Sequence, residues 1–220
     1  MIESVDSPLA PCADSRWPTL EYERWLWERG YRRVAGVDES GRGALAGPLV
    51  AAAVVLPPRA DLATELAGVR DSKLLTRRAR QALTEQIRRV AVAIGVAVVP
   101  AALVDGAGLT AAGQLAFSRA VAALDSPADF LLLDAFRLRG AGTPQLPLIH
   151  GDVRCLSIAA ASVVAKVTRD ALMNDIHGLY PSYAFDRHKG YATSAHRAAL
   201  AAGGPCPEHR RSYAPVRVWC

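Results

Sequence analysis

Apolar residues along this chain fall into two patterns, short unbroken runs and longer helical spacings, and these alternate. Residues 33–38 and Leu49–Leu56 are runs of the first kind; the second of them is β-branched and stops at Pro57-Pro58. Runs of that length bounded by turn residues predict buried strands, and the Gly41–Gly43 turn between them predicts a hairpin. Val90–Val99, Phe130–Asp134 and Leu146–Ile149 predict three more strands. Helices are expected over Leu20–Arg29 (closed by Gly30), from Asp71-Ser72-Lys73 to Val90, over Thr110–Leu124, over Arg154–Leu179 and over Ser194–Ala202. Ala159, Ala160, Ala161 and Ala165 let the longest helix pack closely. His188-Lys189-Gly190-Tyr191 reads as a polar loop and Pro205–Cys220 as a basic, proline-bearing tail. Residues 1–17 read as a loose N-terminal tail, which leaves 18–220 as one α/β domain.

Composition narrows the class. A chain of 220 residues that is 51% hydrophobic can bury a sizeable core, which excludes global disorder. A net charge of +5 modestly favours a polyanionic partner. Cys12, Cys155, Cys206 and Cys220 form no CxxC pair, so free thiols in a reducing compartment are expected rather than zinc or disulfides. No run reaches the ~18 apolar residues of a membrane span. The first seven residues carry two acids and no basic segment, unlike a signal peptide. A cytoplasmic monomer with no membrane association is the expectation.

The chemistry gathers where strands end. Val34-Ala35-Gly36-Val37 runs into Asp38-Glu39, and Gly41-Arg42-Gly43 follows after one serine. Buried strands rarely end in adjacent acids unless a cation meets them, because unpaired charge is costly to desolvate. The glycines bring backbone groups close to a ligand, and Arg42 supplies a forked donor suited to phosphate. Asp134 ends another apolar strand. Asp152 precedes a helix, where capping is the ordinary role of an aspartate; Asp71 or Ser72 can likewise be only a cap. Taken together, Asp38, Glu39, Asp134 and Asp152 form an oxygen-only ligand set for Mg²⁺ or Mn²⁺. Such clusters serve two-metal phosphodiester cleavage. Adjacent residues of a strand face opposite ways, so Asp38 and Glu39 share a site only if the chain leaves the strand between them. Otherwise Glu39 is left to coordinate through its carbonyl. Gly41-x-Gly43-x-x-Ala46 nominally fits a dinucleotide fingerprint, but that motif needs a helix after the glycines, and Gly47-Pro48 and a strand follow here.

The resemblance carried by these residues is specific. Gly36-Val37-Asp38-Glu39-Ser40-Gly41-Arg42-Gly43, Asp71-Ser72-Lys73, Asp134, His150-Gly151-Asp152, the stretch Ala160–Asp170 and His188-Lys189-Gly190-Tyr191 resemble, in order, the signature of the bacterial ribonuclease HII family. The likeness runs from about residue 33 to 216. It implies a ribonuclease H-like fold: a mixed five-stranded sheet flanked by helices, with a helical C-terminal part. It implies endonucleolytic cutting of the RNA strand of RNA–DNA hybrids, and nicking 5′ of single ribonucleotides in duplex DNA, leaving 3′-hydroxyl and 5′-phosphate ends. By position, Asp38, Glu39, Asp134 and Asp152 are similar to the family's metal-binding acids. Gly41, Arg42 and Gly43 resemble the loop that reads the ribose 2′-hydroxyl. Tyr191 resembles the tyrosine that stacks on the next sugar, and Lys73, Lys166 and Lys189 are similar to phosphate-contacting lysines. The chain departs from the family pattern at His150, where lysine is common, at Ala135, where glycine is usual, and at Arg70, where asparagine is common. Two rival readings remain: another two-metal nuclease of the same fold, such as a resolvase, or a non-catalytic nucleic-acid-binding module. The Gly-Arg-Gly loop with Tyr191 discriminates against the first and the intact acids against the second.

Overall fold

The computed structural model describes residues 17–220. The remainder of the expected N-terminal tail, and Cys12 with it, lies outside the described residues. Among those described, five strands form one mixed sheet in the order β3-β2-β1-β4-β5. β1 is Val34–Ser40, β2 Leu49–Val55, β3 Ala93–Val99, β4 Phe130–Asp134 and β5 Gln145–Leu148. β1 and β2 form the expected antiparallel hairpin, in the register Asp38↔Ala52 and Glu39↔Ala51. β4 runs parallel to β1, and their pairing ends at Val37↔Leu133. The last residues of β1 therefore have no strand beside them on the β4 side.

Strand alternation divides the core. Val34, Ala52, Val54, Phe130 and Leu132 point to one face. There they meet α7 (Leu156–Leu179), with α1 (Glu21–Trp27) and α3 (Arg77–Val90) around it. Ala35, Val37, Ala51, Leu131 and Leu133 point to the other face and meet α5 (Leu109–Ala122). Helix α7 lies very close to β1: a Cβ on Gly36 would come within 2.2 Å of the Ser157 carbonyl carbon. The start of α7 is braced from α1, where the buried Glu23 accepts from the Ser157 N–H at 2.7 Å and the Cys155 thiol at 3.1 Å.

Several element boundaries differ from the expectation. The helix expected from residue 71 begins as a 3₁₀ turn, Ser72–Leu74, in which Asp71 caps the Lys73 N–H. Leu75 is then extended, and Thr76 caps α3 by accepting from the Ala79 N–H. Because α3 runs to Val90, the third strand starts at Ala93. The long helix is two elements, α6 (Gly151–Arg154) and α7, separated by an extended Cys155 that bridges to Thr19. The short helices α2 (Leu62–Glu65), α4 (Ala101–Ala107), α8 (Phe185–His188) and α10 (Ala214–Arg217) carry too few residues to show a helical period. Helix α9 (Ser194–Gly203) lies where expected. Cys155, Cys206 and Cys220 are free thiols, and no helix among the described residues is long and apolar enough to cross a membrane.

Candidate active site

The carboxylates meet at the C-terminal ends of the parallel strands β1 and β4. Asp38 and Asp134 share parity with the residues that face α7. Asp38 is buried, bonds Ser162 on α7, and accepts from the Glu39 N–H at 2.6 Å. Asp134 accepts from the Gly151 N–H at 2.8 Å, which draws the start of α6, and so Asp152, to the strand end. Asp152 makes no capping bond; His150 occupies the cap position. Lys73 reaches in from the 3₁₀ turn, its ammonium 3.9 Å from both Asp71 and Asp152.

Glu39 behaves differently. The β1–β2 ladder continues through Ser40, so the chain does not leave the strand between the two acids. The Glu39 side chain accordingly turns to the α5 face, where Arg42 lies 3.5 Å away. Its Oε2 is buried without a hydrogen-bond partner. Of the two routes open to Glu39 from its sequence position, only coordination through the carbonyl leaves the ladder undisturbed.

The electrostatics of the cluster are unfavourable in the absence of a cation. Burial, then repulsion by Glu39 and Asp134, pushes the Asp38 carboxyl well above the usual range. Burial raises Glu39 to about 6, against the opposing pull of Arg42. Burial also raises Asp134, although the Gly151 N–H and Lys73 oppose it. For Asp152, burial and the neighbouring Asp134 and Asp71 act together. Desolvation works against the Lys73 ammonium, yet Asp71, Asp152, Asp38 and Asp134 together raise it. No three histidine, cysteine, aspartate or glutamate side chains among the described residues group tightly enough to hold an ion between them. The donor chemistry nevertheless fits a hard cation: oxygen atoms only, and acids destabilised in their charged form.

The Gly41–Gly43 turn is clamped from below by two buried arginines. Gly41 has φ +98°, and a Cβ there would lie 2.0 Å from the Arg169 Nε. Arg169 donates to the carbonyls of Pro48 (2.9 Å), Lys189 (2.9 Å) and Ala46 (3.0 Å). Arg210 donates to the Gly47 carbonyl at 2.9 Å and to the Arg42 carbonyl at 3.0 Å. The Tyr213 hydroxyl donates to the same Arg42 carbonyl at 2.7 Å. The C-terminal stretch, expected to be a tail, is therefore part of the site's scaffold. A Cβ on Gly43, by contrast, would meet nothing within 4 Å.

Tyr191 is half-buried, with the charged ends of Arg169 and Lys166 5.3 and 5.5 Å from its ring centre. Its carbonyl takes a bond from His196 Nδ1 at 3.0 Å, and His196 Nε2 faces His209 Nε2 at 3.0 Å. His209 Nδ1 in turn accepts from the Cys206 N–H at 3.0 Å. A carbonyl at one end and an N–H at the other allow one arrangement of protons: His196 protonated on Nδ1, His209 on Nε2, both neutral. Lys166 is engaged by Asp170, which Arg80 also approaches at 3.4 Å. Lys189 is buried against Asn174, and only Lys73 of the three lysines is largely exposed.

Sequence reasoning assigned no role to Arg169, Arg210, Tyr213, His196 or His209. Arg169 carried a signal, a lone arginine in the interior of a mostly apolar helix, where burial demands partners. Arg210 carried none, since a basic residue among basic residues reads as solvated.

A profile of the family described as Ribonuclease HII matches residues 35–216. The chain is 52% identical over 200 residues to Ribonuclease HII of Roseiflexus castenholzii, covering 90% of this chain and 89% of that one. Its fold is similar to the crystal structure of ribonuclease H2 from Pyrococcus horikoshii OT3, with a TM-score of 0.73 at 24% identity, covering 84% of this chain and 96% of that one. It is also similar to Bst-RNase HIII in complex with Mn²⁺, with a TM-score of 0.58 at 20% identity, covering 85% of this chain and 68% of that one.

Proposed function

Because the chain belongs to the ribonuclease HII family, it is a metal-dependent ribonuclease H-type endonuclease, and we propose that it nicks duplex DNA on the 5′ side of a lone ribonucleotide as well as cutting the RNA strand of RNA–DNA hybrids. The observation that carries the junction reading is the pairing, around one buried Arg169, of a bare glycine turn with an aromatic ring. Gly41 is required by the fold, whereas the space over Gly43 is open. With the Arg42 carbonyl held by Arg210 and Tyr213 and the Gly41 carbonyl by the Ala44 N–H, the turn's N–H groups and the Gly43 carbonyl are left to answer a 2′-hydroxyl, which is both donor and acceptor. A deoxyribose would leave them unpaired, and that is costly once the site is closed. The flat face of Tyr191 suits a sugar without a 2′-hydroxyl, so the preferred order is ribose, then deoxyribose.

Asp38, Asp134 and Asp152, with Glu39 through its carbonyl, would hold Mg²⁺ or Mn²⁺. When bound, divalent ions at such a site supply an activated water and stabilisation of the leaving oxygen. The protein's own groups do the rest. The Gly41–Gly43 turn holds the 2′-hydroxyl, so it is withheld as a nucleophile and the products end in 3′-hydroxyl and 5′-phosphate. The Gly151 N–H fixes Asp134, and Lys73 balances charge beside Asp152 while remaining exposed toward a phosphate. Lys166 and Lys189, already engaged by Asp170 and Asn174, are assigned to support of the Tyr191 loop ahead of direct phosphate contact.

The test is an end-labelled DNA duplex carrying one ribonucleotide, incubated with Mg²⁺ or Mn²⁺ and resolved on a denaturing gel. A single cut 5′ of the ribonucleotide, no cutting of the all-DNA duplex, and strong loss of activity in Tyr191→Ala are expected. Equal cutting of the all-DNA control, or a product ending in a 2′,3′-cyclic phosphate, would sink the assignment.

A further inference from the structure

The loop from Ala135 to Pro144 joins β4 to β5 directly after Asp134, and its backbone is held by two glutamines. Gln114 of α5 donates to the Arg137 carbonyl at 2.8 Å and accepts from the Arg139 N–H at 2.7 Å. Gln145 makes the same double bond to Leu138, at 2.8 Å each way. Leu138, 5% exposed, plugs the core beneath, so Arg137 and Arg139 on either side of it point outward. Together with Arg42, Thr110, Gln114 and Phe136 they line a cavity of about 350 Å³. Its wall is aromatic: Phe136 stacks on Phe117 with ring centres 4.4 Å apart, and the Arg42 guanidinium lies 5.6 Å from the Phe136 centre. α5 passes close to both: a Cβ on Gly113 would stand 3.4 Å from Phe136 and 3.5 Å from Arg42, in ordinary contact.

Charge in this cavity is unbalanced. Arg42 has Glu39 at 3.5 Å, but no carboxylate pairs with Arg137 or Arg139 among the described residues. Guanidiniums sharing one cavity repel unless an anion joins them, and the planar fork matches phosphate oxygens. Because both glutamines have already fixed the loop, little backbone order is lost on binding. We propose that Arg137 and Arg139, with Arg42, form a subsite for backbone phosphate of the substrate duplex. The subsite lies on the α5 face, across the sheet end from Tyr191. This rests on the nuclease reading above and extends the contact surface beyond the junction itself.

The test is duplex binding by the full-length protein, followed by fluorescence anisotropy in EDTA, so that cutting plays no part. The dependence of log Kd on log salt should flatten by about one to two in the double variant Arg137→Gln/Arg139→Gln, the equivalent of one or two lost phosphate contacts at ~0.9 each. The control Arg88→Gln/Arg89→Gln removes the same charge from α3, on the opposite layer, and should leave the slope within a few tenths. Neutral methylphosphonates are then placed one at a time along both strands. At one or two positions the wild type should bind roughly tenfold more weakly, as expected for a lost charge-assisted contact, and the double variant should be insensitive at those positions alone. Equal slopes for the two variants, or unchanged methylphosphonate sensitivity in Arg137→Gln/Arg139→Gln, would overturn the subsite. Inorganic phosphate protecting the two arginines from modification, with no methylphosphonate position affected, would mean a free-anion site and also overturn it. Failure of the junction reading is a separate result: it shows as absent ribonucleotide-dependent cutting, whatever the binding slopes.

Discussion

Asp38 shows how a single residue here is placed against its own stability. It is buried beside three other acids, and each raised carboxyl marks a charged form that the fold disfavours. For a carboxyl whose folded pKa lies above its unfolded value, the ionised state destabilises, so relief comes from neutralisation or from a cation. Asp134→Asn keeps an oxygen to accept from the Gly151 N–H and removes a charge that repels Asp38, Glu39 and Asp152. It should raise the melting temperature of the metal-free protein by about 2–4 °C, the shift that corresponds to roughly 1 kcal/mol in a chain of this size, while abolishing cleavage. Calorimetry in EDTA checks the first part and the ribonucleotide gel the second; a clear fall in melting temperature would give Asp134 a structural role instead. The positions of Asp38, Glu39 and Asp134 near strand ends, and of Asp152 at a helix start, were legible in the sequence. The facing of Glu39 was not, because only the β1–β2 register decides whether the strand continues past Asp38. Ala135 and His150, in place of the usual glycine and lysine, both adopt left-handed backbone, with φ 61° and 55°. At 135 the family's glycine has a plain steric reason.

At the scale of elements, the hairpin turn and the Tyr191 loop are held by groups from three distant stretches of chain. Arg169 comes from α7, Arg210 and Tyr213 from the C-terminal stretch, and the histidine pair from α9 and the segment after it. The pair holds the Tyr191 carbonyl only while both imidazoles are neutral, since a second proton would set N–H against N–H across 3.0 Å. Burial first, then the neighbouring His196, lowers His209 to about 4, and burial lowers His196 as well. A histidine with a depressed folded pKa contributes stability that is complete above its unfolded value near 6.5 and is lost as pH falls toward 4. The acid cluster has the opposite sign, because Glu39, raised to about 6, is relieved by protonation. The decisive measurement is therefore the difference between wild type and His209→Gln, in which the carboxylate contribution cancels. The variant should melt lower at pH 8, and the gap should shrink steadily between pH 6.5 and 4. A gap independent of pH would show that the pair does not titrate with folding. This coupling was invisible in the sequence: His196 and His209 stand thirteen residues apart in unrelated contexts, and nothing local pairs them.

For the whole molecule, a cation held by the acid cluster would tie folding to metal. A cation that binds only the folded chain stabilises it by mass action, about 2.7 kcal/mol at a hundred times Kd. Mn²⁺ or Mg²⁺ at that excess should raise the wild-type melting temperature by roughly 5–10 °C, and should do much less for Asp38→Asn or Asp152→Asn. Equal shifts in all three proteins would place the stabilising ion elsewhere. The sequence carried the strands, the principal helices and the hairpin, because local periodicity and turn chemistry write them, and it marked out the acids through the cost of burying charge. Its ordered motifs also identified the family. Tertiary structure alone decided the rest: that Glu39 faces away from Asp38, that Arg169 and Arg210 serve the glycine turn from within, and that Arg137 and Arg139 share a cavity with Arg42. The physical reason is the same in each case. A residue's type is local, but its direction depends on register, and its partners are contributed by chain far away in sequence.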